Sequence, residues 1–475
     1  MFLEVLNLYA DRTLFECDDG VSYSYAAALE LSQQPAMHET HRQLVFCLCA
    51  NSPDALLGYL SLMAVKAVPL LLSSNIPTKQ LVFLIEKYRP SFVWLPTERI
   101  NDLSNSQMLL QYHNYALVGL GGLDEGKVHN DLALLVGTSG STGSPKLVRL
   151  SHSNILSNAQ AISEYLKLNS DEVPITTLPP SYSFGFSIIH SHFILGCKIA
   201  LTNKTFFDRG FWEFLKSVGA SSLSGVPYHF EILNKLRFEK MELPSLRTLT
   251  QAGGRLNPEQ IINFSNLSAN RGMQFFVMYG QAEASPRMSY LSQEKTVVKP
   301  TSIGQAIPGG KFWIEDESGL LIKDDYVSGE LLYHGNNVCM GYAESRQDLA
   351  KGDEFRGILR TGDLAYRDAD GDYYIVGRLR RFLKLFGHKV NLQDIEDGLS
   401  SEGFLVACSG RDDQLDVYLC NGNIDAAKRI KAVIVSELRL TPSAIRIINV
   451  TDLPRNEAGK IKYAELSKFP VEVLA

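Results

Sequence analysis

The chain is predicted to be an α/β protein: a large N-terminal domain of βα-layered sheets carrying a small β-rich subdomain, followed by a small α+β C-terminal domain. Three observations lead there. From Leu44 to Tyr279 short apolar runs alternate with helical patterns, the texture of βα units and largely parallel sheets. From Ser285 to Val376 the strands become short and are punctuated by Gly, Pro and Asp. The basic run Arg378-Leu379-Arg380-Arg381 then marks a change of composition before a last stretch of mixed strands and helices. A chain of 475 residues is too long for one ordinary core, so more than one folded unit is expected.

The elements follow in order. Met1 to Phe15 mixes Glu4, Asp11 and Arg12 into an apolar pattern and lacks the basic start and small-residue cleavage site of a secretory leader. Leu44 to Ala50 reads as a core strand, with Cys47 and Cys49 alternating along it. No second cysteine pair at matching spacing supports metal ligation there. Asn51-Ser52-Pro53-Asp54 signals a helix start, and the membrane-like run Ala55 to Leu72 is broken by Lys66 and Pro69, giving a buried helix followed by a strand. Further apolar runs lie at Val68 to Leu72, Phe92 to Leu95, Leu132 to Val136, Lys198 to Leu201, Leu246 to Gln251 and Gln274 to Met278. His190 and His192, two apart in an aromatic run, read as packing residues. Gly329 to His334 and Tyr373 to Val376 belong to the β-rich stretch. Phe404 to Cys408, Gln414 to Cys420, Ala426 to Leu440 and Ala444 to Val450 belong to the last domain. The expected organisation is residues 1–377, with 285–377 as the β-rich subdomain, a junction at 378–380, and 381–475.

A net charge of -6 and a pI near 6.0 give no reason to expect nucleic-acid binding or attraction to anionic membrane, and no membrane insertion is expected. The seven cysteines, odd in number and scattered, suit reduced thiols and a cytoplasmic location.

Several motifs carry chemistry. Thr138, Ser139, Gly140, Ser141, Thr142 and Gly143, followed by Ser144, Pro145 and Lys146, come after a strand pattern and before a helix pattern opening near Ser151 to Asn154. Such a run lets backbone N–H groups and hydroxyls converge on phosphate oxygens, with Lys146 adding a point charge. It is not a Walker loop, because Leu147 follows the lysine. Tyr279-Gly280-Gln281-Ala282-Glu283 ends an apolar strand in a ring able to stack on a base and a carboxylate able to hold a divalent cation. Thr361-Gly362-Asp363 places a carboxylate in a tight turn, suited to ribose hydroxyls, although aspartates that cap turns are commoner. Leu453 to Lys460 puts a lysine on a turn near the C-terminus.

With Gln251-Ala252-Gly253-Gly254-Arg255, and with Gly377-Arg378 plus Lys384 and Gly387, these pieces make six ordered motifs. In that order they resemble the acyl-adenylate-forming superfamily, which includes acyl-CoA synthetases, adenylation domains of nonribosomal peptide synthesis and firefly luciferase. The resemblance runs from about Asp11 to Tyr463. It implies ATP and Mg²⁺ as cofactors, with Thr138 to Lys146 around the β- and γ-phosphates. Ala252, Gly253 and Gly254 would line one side of the adenine, with Tyr279 on the other. Gly280 belongs to the same motif. Glu283 would hold Mg²⁺, Asp363 the ribose hydroxyls and Arg378 the ribose or phosphate region. Lys460 would bridge the substrate carboxylate and the α-phosphate. The resemblance also implies a mobile C-terminal domain turning about a hinge at Arg380, with Gly387 beside a tunnel for a thiol, either coenzyme A or a carrier-protein phosphopantetheine.

Departures from the family pattern are informative. Ala282 stands where a threonine hydroxyl usually reaches the α-phosphate, a hydrogen bond worth about 0.5–1.5 kcal/mol. Leu147 replaces a frequent glycine, and Tyr182 stands where acyl-CoA synthetases often have a gating histidine. Gly185 sits where amino-acid-activating relatives place an aspartate for the substrate ammonium. A buried ammonium without that partner is strongly disfavoured. The expected substrate is therefore a carboxylic acid without an α-amino group, lined by Tyr182, Phe184, Gly185, Phe186, Tyr228 and Met288, and possible partners include an acyl carrier protein. The alternatives are an amino-acid–carrier ligase of the D-alanine-activating kind and a non-catalytic acyl-nucleotide binder.

Overall fold

The longest apolar runs become central strands. The computed structural model describes residues 1–475 other than 122–125, 138–145, 380, 386–387, 412, 439–440, 456–458, 460, 470–471 and 475. Leu44–Cys49 is buried at all six positions, a pattern expected of a strand covered on both faces. It pairs in parallel with Val68–Ser73 and Phe92–Pro96, and Leu132–Gly137 extends the parallel set beyond Val68–Ser73. Antiparallel strands finish both margins of this eight-stranded sheet: Tyr115–Leu120 and Ser106–Tyr112 on one side, Leu147–Ser151 and Tyr342–Ala343 on the other.

The membrane-like run resolves as the sequence predicts, into the helix Pro53–Ala64 and the strand Val68–Ser73. Asp54 to Ala64 are all buried, so this helix is apolar on every side because core surrounds it. Among the described residues no helix is long and apolar enough to cross a membrane. Cys47 and Cys49 are buried strand residues and all seven cysteines are free thiols. His190 and His192 are buried on the helix Ser183–Phe193, with burial pushing their imidazoles down to about 3 and about 4.

A second, nine-stranded sheet has a parallel centre built from Gln274–Gly280, Thr248–Gln251, Ser222–Gly225, Pro174–Ile175, Ile199–Leu201 and Thr13–Cys17. Arg287–Leu291 and Ser22–Ser24 run antiparallel near its margins. The helix expected to open near Ser151 to Asn154 is present, with an additional strand ahead of it. The Ser/Gly-rich run does not lead directly into a helix, because the strand Leu147–Ser151 intervenes, antiparallel to Leu132–Gly137 with Gly137 opposite Leu147. The helix His152–Tyr165 begins only after it, capped reciprocally by Ser151 and Asn154.

The described chain divides into two compact units. The first holds residues to Gly137, Lys146–Lys311 and Tyr333–Leu359; the second holds Phe312–Leu332 and the described residues from Arg360 onward. The second unit includes the strand Ile358–Arg367 from Arg360 onward, antiparallel to Tyr373–Arg378, the hairpin Phe382–Leu385/His388–Asn391, and a four-stranded sheet. That sheet consists of Val406–Arg411, Gln414–Cys420, Ile445–Val450 and Glu472–Val473, with its own apolar core including Ile430 and Ile434 of the helix Ile424–Leu438.

Within the first unit one side chain ties the segment 340–354 to the eight-stranded sheet. Arg149, wholly buried on Leu147–Ser151, donates to the carbonyls of Met340 (2.8 Å), Lys351 (2.5 Å) and Gly352 (3.2 Å) and pairs with Glu354 at 2.5 Å. Arg149→Met removes the donor from the buried Met340 carbonyl, which keeps the Glu354 N–H, and from the part-buried Lys351 and Gly352 carbonyls, at about 0.5–1.5 kcal/mol for each hydrogen bond lost. The expected result is a clearly lowered urea midpoint by tryptophan fluorescence. Arg209→Met, which breaks an exposed pair with Glu213, should shift the midpoint by only about 0.5 kcal/mol or less.

Candidate functional site

The parallel strands Thr248–Gln251 and Gln274–Gly280 lie side by side, Gln251 opposite Val277, and both end in the motifs singled out above. Ligand sites of open α/β sheets form beyond such carboxyl ends. Gln251 is fully buried, and its Nε2 donates to the carbonyls of Ala252 (3.2 Å) and Gly254 (2.8 Å), fixing the turn that follows its strand. Gly253 has φ +85°, and a Cβ there would lie 2.4 Å from the Tyr182 hydroxyl oxygen, so only glycine suits this position. A Cβ on Gly280 would lie 2.0 Å from the Pro286 carbonyl oxygen. The strand thus ends pressed against the returning turn.

That turn carries the candidate metal ligand. Glu283 sits in the short 3₁₀ turn Ala282–Ala284; its carbonyl accepts from the Cys339 N–H at 2.8 Å and its Oε1 accepts from the Tyr342 hydroxyl at 2.7 Å. Asn337 braces the next residues, donating from Nδ2 to the carbonyls of Ala284 (2.6 Å) and Arg287 (3.0 Å). Lys146 pairs with Glu344 at 2.5 Å, and its ammonium lies 5.8 Å from the centre of the Tyr342 ring. Tyr342 therefore touches both charged groups, the carboxylate through its hydroxyl and the lysine through its face. The Lys146–Glu344 pair is more than half exposed, so its own contribution to stability is small. A half-buried carboxylate suits a hard divalent cation, the ammonium suits phosphate oxygens, and the glycines leave room for close approach. The residues present fit a magnesium-bound nucleotide triphosphate.

Of the candidate acid-lining residues, Tyr182, Phe184 and Tyr228 come together in one apolar cluster. Phe184, Val226, Ala252, Phe276 and Met278 are buried in it, with Tyr182 and Tyr228 packed against them. Tyr182 meets Phe184 edge to face with centroids 6.5 Å apart, and burial pushes its hydroxyl well above the usual phenol range. Gly185 lies in the first turn of Ser183–Phe193, where a Cβ would approach the Pro179 carbonyl oxygen to 2.2 Å. The backbone at this position excludes any side chain, aspartate included. Phe186 and Met288, also expected to line the acid, are fully buried but lie outside this cluster, Phe186 in the large core with Tyr59 and Phe193. Ala282, lacking the usual hydroxyl, packs against the large core that joins the two sheets.

In the second unit Asp363 and Arg378 are brought together. They face each other in the antiparallel register, and Arg378 Nε lies 2.9 Å from Asp363 Oδ1. The carboxylate is almost wholly buried while the guanidinium is largely exposed. Asp363 N–H donates to the Thr361 hydroxyl, which itself donates to the Leu331 carbonyl. Thr138, Ser139, Gly140, Ser141, Thr142, Gly143, Arg380, Gly387 and Lys460 lie outside the described residues. Around position 460, Arg455 pairs with Ile461 as an antiparallel bridge, and Lys462 N–H donates to the Pro454 carbonyl at 2.7 Å. The base of this turn is clamped: Arg381 stacks on Tyr463 at 3.9 Å and pairs with Glu396 at 2.8 Å, and Glu396 also accepts from the Tyr463 hydroxyl.

Sequence reading missed Tyr342, Asn337, Glu344 and the Arg381–Glu396–Tyr463 clamp. Only Tyr342 carries a local signal, the preceding Gly341 at φ +114°.

Residues 2–343 match the family model described as AMP-binding enzyme. The chain belongs to that family. It is 24% identical over 487 aligned positions to a 2-succinylbenzoate–CoA ligase of Bacillus cereus, covering 98% of this chain and 97% of that protein. It is 27% identical over 281 positions to luciferin 4-monooxygenase of Photuris pensylvanica; the match covers 58% of this chain and about half, 51%, of that relative. Among solved structures, o-succinylbenzoate CoA synthetase of Bacillus subtilis in complex with the acyl-adenylate intermediate OSB-AMP superposes with a TM-score of 0.77 at 19% identity, covering 99% of this chain and 98% of that one. The family, the α/β fold class and the enzyme class read from the sequence, an AMP-forming acid–thiol ligase, are borne out.

Tyr342→Phe removes one hydrogen bond to Glu283 while keeping the ring under Lys146. The KM for Mg-ATP is expected to rise about 3- to 10-fold, the equivalent of about 0.5–1.5 kcal/mol, with the melting temperature nearly unchanged. Steady-state pyrophosphate release against ATP concentration measures this; an unchanged KM removes the positioning role of Tyr342.

Proposed function

We propose that this enzyme ligates a carboxylic acid without an α-amino group to the thiol of coenzyme A in two half-reactions. In the first, a carboxylate oxygen attacks the α-phosphorus of ATP, the bond to the β-phosphate oxygen breaks, and pyrophosphate leaves with the electron pair. In the second, the thiolate attacks the acyl carbon and AMP leaves. The observation that carries this reading is the grouping at the end of Gln274–Gly280: Glu283 and Lys146 joined through Tyr342, on the same strand end as the apolar cluster of Phe184, Ala252 and Met278. Coenzyme A as acceptor is supported by the name of the relative aligned over nearly the whole chain; a carrier-protein phosphopantetheine is the alternative acceptor.

Two anions repel as the carboxylate nears the phosphate, so the catalyst places positive charge where negative charge develops. A magnesium ion, held by Glu283, would supply part of it. Lys146 and the Thr138–Gly143 run take the outer phosphates, and Lys460 meets the attacking carboxylate and the α-phosphate. Tyr279 and Ala252–Gly254 flank the adenine, and Asp363 with Arg378 takes the ribose. In this reading Arg380 is the hinge that withdraws Lys460 between half-reactions, residues 381–475 are the moving domain, and Gly387 borders the thiol path. The free cysteines agree with a reducing, cytoplasmic setting. The bar to any side chain at position 185 favours an acid over an amino acid.

ATP–pyrophosphate exchange over a panel of acids and amino acids tests the substrate class, and exchange with amino acids alone overturns it. Lys460→Ala is expected to abolish acyl-AMP formation while thiol transfer from supplied acyl-AMP persists; equal loss of both half-reactions contradicts the alternation. Glu283→Ala should weaken use of Mg-ATP, and unchanged kinetics across a magnesium titration removes its metal role.

A further inference from the structure

Arg287 carries a permanent positive charge inside the apolar cluster assigned above to the acid. The residue is only 3% exposed. Its Nε donates to the Ser187 hydroxyl at 3.2 Å, its Nη1 to the Tyr165 hydroxyl at 3.1 Å and weakly to Met278 Sδ at 3.4 Å, and its guanidinium lies 5.0 Å from the centre of the Phe184 ring. All these partners are neutral. Burial raises the Tyr165 phenol above its ordinary range, so it stays protonated and supplies no countercharge. Among the described residues no carboxylate pairs with Arg287, and its Nη2 has no partner.

A guanidinium does not shed its proton, and an unpaired charge held in the interior is strongly unfavourable. The main chain gives it no escape: the Arg287 carbonyl accepts from Asn158 Nδ2 (2.8 Å) and Asn337 Nδ2 (3.0 Å), pinning the residue opposite Gly280. The missing partner is thus an anion brought by a ligand. Its surroundings say which ligand. Phe184 and Ser187 flank Gly185 on Ser183–Phe193, and Met278 immediately precedes Tyr279, so the guanidinium sits among acid-lining residues. The groups assigned to phosphates, Lys146 and Glu283, contact Tyr342 instead.

We propose that Arg287 forms the anion-binding end of the acid pocket and that the substrate is a dicarboxylic acid, one carboxylate reacting at the α-phosphorus and the other pairing with Arg287. The planar fork of arginine matches a carboxylate with two parallel N–H donors, and its charge repels an ammonium. This inference rests on the ligase reading above and deepens it.

The test is ATP–pyrophosphate exchange by the unaltered full-length enzyme with three matched series: straight-chain and aromatic monocarboxylic acids, dicarboxylic acids of the same lengths, and the monomethyl esters of those diacids. A diacid is expected to exceed both its monoacid and its half-ester at least tenfold in kcat/KM. Arg287→Met is expected to erase or invert that preference, and Arg287→Lys to keep part of it. Monoacids or half-esters used as well as diacids by the unaltered enzyme overturn the dicarboxylate assignment while leaving the ligase reading intact. Exchange with no acid of any series overturns the ligase reading and this inference together. Because the unaltered enzyme decides between monoacid and diacid, a poorly folding variant does not spare the proposal.

Discussion

The absence of a side chain at position 280 sets the geometry of the first unit's site. Gln274–Gly280 approaches the returning strand so closely that a methyl group would overlap the Pro286 carbonyl oxygen. This contact stops the strand and turns the chain through Ala282–Ala284. It also presents Tyr279, Glu283 and Arg287 within one short stretch. A close-packed interior tolerates no such overlap, so the spacing of these groups is enforced by hard-core repulsion rather than by the weak attraction of any one pair. The charged groups are then placed by what they touch: Asn337 holds the turn from one side and Tyr342 holds the carboxylate from another.

How much of this was legible in the sequence depended on whether the signal was local. The central strands at 44–49, 68–73, 92–96, 132–137 and 274–280 announced themselves as apolar runs because both faces of each are covered. The glycines at 253 and 280 and the carboxylates at 283 and 363 stood out because their motifs recur in order. The strand Ser106–Tyr112 did not, since none of its positions is fully buried and no apolar run results. Leu147–Ser151 was hidden by Arg149, a charge at the centre of a strand buried at every position. Such a residue is intelligible only once the carbonyls of 340, 351 and 352 are known to converge on it. Tyr342, Asn337 and Arg287 were illegible as functional residues for the same reason: the partners that place them, Glu283 for Tyr342, Ala284 and Arg287 for Asn337, and Tyr165 and Ser187 for Arg287, lie at least 50 positions away in the chain, and one sequence carries no record of such pairings.

The second unit shows how a buried ion pair serves specificity of arrangement rather than stability. Arg381, Glu396 and Tyr463 satisfy one another with the Cys408 backbone, joining Arg381 to the helix Leu392–Ser401, the strand Val406–Arg411 and the segment at Tyr463. Replacing such a network by apolar groups is often neutral for stability. Its value lies in fixing orientation.

The intervening strand Leu147–Ser151 alters the electrostatics expected of the run proposed to hold phosphate. Many phosphate loops open onto the positive end of a helix, whose peptide dipoles supply a fixed half-charge at no conformational cost. Here the run connects two antiparallel strands, whose dipoles largely cancel. In the proposed reading, where this segment meets the outer phosphates, the described charge beside it is the ammonium of Lys146, more than half exposed and paired with Glu344. Mobile ions screen such a charge far more strongly than a buried dipole, so on that reading the grip on nucleotide is sensitive to ionic strength.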